Sequence, residues 1–154
     1  MELRETAKNM LTSCLAAKPG ETLLVITDDS RVKIGTAIYE AGKELGCEAM
    51  LLVMKEREVS GQEPPETVAA AMKAADIVVC PTTKSLTHTN ARINAVKAGA
   101  RIATMPGITE EMFSRGAMTA DYDEVEKLTA RVTALLTAAS VLYLFRLQEF
   151  SRGV

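Results

Sequence analysis

The chain has 154 residues, 18 of them basic and 20 acidic, for a net charge of -2. That length suits one domain burying about two-thirds of its unfolded surface, and the absence of a basic block argues against a nucleic-acid partner held through phosphates. No apolar run approaches the ~20 residues needed to cross a bilayer, and the N-terminus "MELRETAKNML" is charged and amphipathic, so a cytoplasmic chain with no membrane partner is expected.

Leu3, Ala7, Met10, Leu11, Cys14 and Leu15 recur at helical spacing, and Pro19 and Gly20 then stop the helix. "TLLVIT" is a strand apolar on both faces, which requires a layer on each side. "DDSR" offers Asp or Ser N-caps to a second helix whose inward stripe is Ile34, Ile38, Ala41 and Leu45. "EAMLLVM" is the second strand. The polar loop "KEREVSGQEPP" follows, and its Pro64 and Pro65 suit the first turn of a third helix ending near Ala75.

"DIVVCP" is the third strand, followed by a polar junction, a helix carrying Ile93 and Val96, and a fourth strand "RIATMP". A short helix around "TEEMFSRG" precedes Asp121 and Glu124. These have capping-box spacing for a long helix with Val125, Leu128, Val132 and Leu135 turned inward. Such alternation predicts an α/β fold, a Rossmann-like three-layer sandwich with a mainly parallel sheet of four to five strands. Residues 1–139 are expected to form this domain. Residues 140–154, with Tyr143, Phe145 and Phe150, form an atypical apolar tail, a strand or a helix extension. It either mediates homo-oligomer contacts or covers the chain's own sheet edge.

In doubly wound sheets one connection reverses direction, and the loops flanking that point line a crevice. Periodicity does not fix the strand order. In a 2-1-3-4 order the flanking loops are "DDSR" and "PTTKSLTHT". The first offers Asp28, Asp29 and Ser30 as cleft-lining residues or as helix caps. The second offers Thr82, Thr83, Lys84, Ser85, Thr87 and His88, either as an anion cradle at a helix start or as a cleft wall. It lacks the glycines of a nucleotide P-loop, and Pro81 removes a backbone donor. The alternative is that the hydroxyls cap the helix and Lys84 is solvated.

No catalytic residue emerges. Cys80 and His88 are eight positions apart, but nothing orients the imidazole as a base. Cys14, Cys47 and Cys80 show no CxxC spacing and are read as reduced thiols, and one histidine leaves no metal-ligand set.

The segments "KPGETLLVI", "SGQEPPETVAAAMKAADIVV", "PTTKSLTHTNAR" and "AGARIATMPGITEEMFSRGAMTADYDEVEKLT" resemble the N-terminal half of the thermophilic aminopeptidase family, of the aminopeptidase T and S type. The likeness runs from about Thr6 to Ala139. It implies the N-terminal domain of a metallopeptidase that removes amino-terminal residues from peptide substrates with two divalent ions, such as zinc or cobalt. In this family the ligands are Glu, His, Tyr and Asp residues of the C-terminal half, so this chain is expected to hold no cofactor and to be inactive alone. The expected alternative is a stand-alone, non-catalytic anion-binding or oligomerisation module. Iron-dependent ring-cleaving dioxygenases resemble the same family.

Overall fold

The computed structural model describes residues 2–138, and the expected tail at 140–154 lies outside the described residues. The chain divides into two compact units, Met1–Ala120 and Asp121–Val154.

In the first unit, α1 (Leu3–Asn9) runs into a π-helical turn at Met10–Cys14. That wider turn shifts the register of the predicted stripe, so Leu11 and Leu15 are buried while Cys14 faces solvent. There follow β1 (Thr22–Asp28), α2 (Val32–Glu44), β2 (Glu48–Met54), α3 (Glu66–Ala74), β3 (Ile77–Cys80), α4 (Asn90–Lys97), β4 (Arg101–Thr104) and α5 (Glu110–Ser114). A 3-10 turn at Gly116–Thr119 closes the unit.

The four strands form one parallel sheet in the order β2-β1-β3-β4. The α/β sandwich is therefore as the alternation predicts, with four strands. Because side chains alternate along a strand, Leu23 and Val25 of β1 enter one core with Ala7, Leu11, Ile34, Ile38 and Phe113. Leu24 and Ile26 enter a second core with Val68, Met72, Ala91, Ala95 and Cys80. The chain runs α1, α2 and α5 over the first face and α3 and α4 over the second. At the close approach of α2 to β1 stands Gly42, where a Cβ would lie 2.3 Å from Leu23 Cδ2.

In α4 the buried residues are Ala91 and Ala95, whereas Ile93 and Val96 are 37 % and 45 % exposed. Small alanines let this short helix approach the sheet closely, and the branched residues turn outward.

In the second unit, α6 (Tyr122–Ala138) starts as predicted, with Asp121 Oδ1 accepting from the backbone N–H groups of Asp123 and Glu124 at 3.0 and 3.2 Å. Its stripe was expected to turn inward. Instead Val125, Leu128, Val132 and Leu135 are 45–73 % exposed, and no residue of the helix is buried. Spacing defines which face of a helix is apolar, not whether anything covers it. No described helix is long and apolar enough to cross a membrane.

Candidate functional site: the junction between β1 and β3

The strand order reverses between β1 and β3, so the loops leaving these two neighbours flank the switch point. Pairing of Leu23 with Ile77 and of Val25 with Val79 sets the register that brings the loops together. Three bonds then tie the strand exits. Thr27 Oγ1 donates to the Pro81 carbonyl at 2.9 Å. Asp28, only 1 % exposed, accepts the Thr83 backbone N–H at 2.5 Å and its hydroxyl at 3.1 Å.

Asp28 therefore spends both carboxylate oxygens on the neighbouring loop and caps no helix. The N-cap position of α2 falls to Arg31, which makes no side-chain capping bond, so the expectation of an Asp or Ser cap there is corrected. Asp29 and Ser30 are exposed beside it, with Ser30 Oγ 3.5 Å from Glu56.

The second loop is held on three sides. Thr82 Oγ1 donates to its own loop at the Lys84 carbonyl, at 2.7 Å. Ser85 is bound by the β2–α3 loop: its carbonyl accepts from Gly61 N–H at 2.8 Å, and its N–H donates to Ser60 Oγ at 3.2 Å. Ser85 Oγ donates to Thr87 Oγ1 at 2.9 Å, and Thr87 Oγ1 lies 2.9 Å from Thr104 Oγ1 on β4.

The start of α4 is closed by the chain itself. Thr89 is the N-cap, its hydroxyl accepting from Arg92 N–H at 3.2 Å. Glu63 accepts from the N–H groups of Asn90 at 2.5 Å and Ala91 at 3.1 Å. The donors and dipole end that an incoming anion would use are thus matched to an internal carboxylate. In the sequence Glu63 is one charge of the polar loop before α3. Its partner helix begins 27 residues later, beyond the reach of any local capping signal.

Lys84 is half-buried at this surface. His88 is exposed in the turn before α4 and not on the helix itself. Cys80 lies fully inside the second core, and burial pushes its thiol up to about 12, so it presents no thiolate to His88. The geometry positions loops and leaves Lys84, His88, Asp29 and Ser30 facing outward. Among the described residues, no three of His, Cys, Asp and Glu gather in an arrangement that holds a metal ion.

No family model and no curated protein matches the chain. Among solved structures, it is similar to a 2,5-dihydroxypyridine dioxygenase from Pseudomonas putida KT2440, with a TM-score of 0.57 and 18 % identity. That likeness covers 68 % of this chain and 33 % of the dioxygenase, and it shows a shared fold. A second similar structure is the wild-type AmpT of Thermus thermophilus, with a TM-score of 0.46 and 12 % identity over 68 % of this chain and 35 % of that one. The chain spans about a third of the length of each.

Proposed function

We propose that this chain is the N-terminal domain of an aminopeptidase-T-like metal-dependent peptidase, with residues 82–88 and 28–30 forming one wall of the substrate cleft. The support is the coincidence of motif and place. "PTTKSLTHT", a segment that carries the family resemblance, occupies the loop at the point where the strand order reverses, the edge at which an α/β sheet meets a ligand or a second domain. The bonds from Asp28 to Thr83 and from Glu63 to Asn90 make that wall rigid before any substrate arrives.

The paired divalent ions of such a peptidase do not fit the described residues, which offer no cluster of three metal-ligating side chains. No catalytic step is therefore assigned to this domain. Its part is to shape the cleft opposite the metals, which would activate a water and polarise the peptide carbonyl from the other half.

The test is a chimera in which residues 1–139 replace the corresponding domain of a full-length aminopeptidase of this type. Metal-dependent release of leucine from a leucyl peptide should persist within about tenfold. The isolated 154-residue chain with added cobalt or zinc should show none. A folded, metal-loaded chimera without activity, together with a defined oligomer of the isolated chain in sedimentation, would favour the non-catalytic module instead.

A further inference from the structure

A cavity of about 350 Å³ lies between the starts of α2 and α5 and shares Ser30 with the edge of the β1–β3 junction. It is lined by Ser30, Arg31, Lys33 and Ile34 from the first element and by Thr109, Glu110 and Glu111 from the second. One set carries the cations and the other the carboxylates. Lys33 Nζ and Glu110 Oε2 pair across the cavity, with side chains 69 % and 51 % exposed, so solvent and salt screen the pair and it opens readily.

That pair selects the chemistry of a ligand. A singly charged molecule would separate Lys33 from Glu110 and leave one of them unmatched. A zwitterion replaces one ion pair by two and leaves the charge balance unchanged. Arg31 strengthens the cationic side. Its Nη1 donates to the Ser30 carbonyl at 3.3 Å, and its buried Nε–H has no hydrogen-bond partner among the described residues.

We propose that this cavity binds a small zwitterion of the α-amino-acid type, its carboxylate toward Lys33 and Arg31 and its ammonium toward Glu110 and Glu111. The site does not depend on the peptidase reading. Backbone-amide NMR of the full chain at neutral pH, titrated with L-alanine, N-acetyl-L-alanine and L-alaninamide, tests it directly.

L-alanine should shift residues 30–34 and 109–111 saturably, and each singly charged analogue should bind at least about tenfold more weakly. Lys33→Met and Glu110→Gln should each weaken L-alanine by about tenfold, and the conservative Lys33→Arg should keep most of the affinity. Absence of saturable shifts, equal binding of N-acetyl-L-alanine, or single variants that bind as the parent does would each overturn the assignment. Because both side chains are exposed, the variants are expected to stay folded, and the shifts of the remaining amides confirm it.

Discussion

The carboxylate of Glu63 sits 2.5 Å from the backbone N–H of Asn90 and closes the first turn of α4 from a loop far away in sequence. A negative charge at that position satisfies two donors and opposes the positive end of the helix dipole. The β2–α3 loop and the β3–α4 junction thereby become one structural piece.

Glu63→Ala should lower unfolding stability by about 1 kcal/mol, in the range of a lost N-cap, and Glu63→Gln by less because an acceptor remains. Urea denaturation measures both. The same Glu63→Ala variant exposes the donors of Asn90 and Ala91, so millimolar phosphate should raise its midpoint while leaving the parent unchanged. Equal phosphate effects on the two proteins would show that Glu63 does not stop this helix start.

Asp28→Ala removes a buried acceptor and strands the N–H and hydroxyl of Thr83. A loss of about 2–3 kcal/mol is expected. Thr83→Val should cost less, because the backbone donor remains, and the double variant should lose less than the sum of the two. Hydrogen exchange should speed up in residues 82–89 ahead of the sheet itself.

Arg101 is the hub at the other end of the sheet. Its Nη1 donates to the carbonyls of Leu15 and Ala16 at 2.8 and 3.0 Å, and its Nη2 lies 2.6 Å from Glu21. The bond to Arg101, and after it the bond from the Lys18 N–H, hold the Glu21 carboxyl below its ordinary value of 4.5. A lowered folded pKa stabilises the native state above the unfolded value, and that contribution fades as pH falls through the folded value. Arg101→Ala should therefore destabilise the chain most at neutral pH, and the gap to the parent should narrow in acid. The loss of the carbonyl bonds leaves a remainder at every pH. A gap that stayed constant with pH would contradict the role given to Glu21.

Gly42→Ala brings a methyl group against Leu23, where α2 passes close to β1 in the first core. Overpacking of this kind should cost about 1–3 kcal/mol. Adding Leu23→Val should recover part of that loss in thermal unfolding, because the clash is with the tip of the leucine side chain.

What the sequence revealed and what it withheld follow from the range of the interactions. Alternation is local, so the double-sided burial of Leu23 to Ile26 could be read directly. So could the capping by Asp121 and the chain order of the strands. Ile93 and Val96 did not reveal which face of α4 packs, because apolarity does not specify a direction on an eight-residue helix. Which face packs depends on Ala91 and Ala95 allowing close approach to the sheet. The hydroxyls around Lys84 looked available because their partners, Asp28 and Thr104, come from other strands. That "DDSR" and "PTTKSLTHT" leave neighbouring strands follows only from the order β2-β1-β3-β4.

The three thiols sit at three different depths. Cys14 is at the surface, Cys47 is in the core beneath α1 and α2, and Cys80 is in the core beneath α3 and α4. A thiol reagent added to the native chain should therefore label Cys14 at once. Cys47 and Cys80 should label only when their own layers lift from the sheet. The order in which the two buried positions react would report which face of the sandwich opens first, from the natural sequence and without an introduced probe.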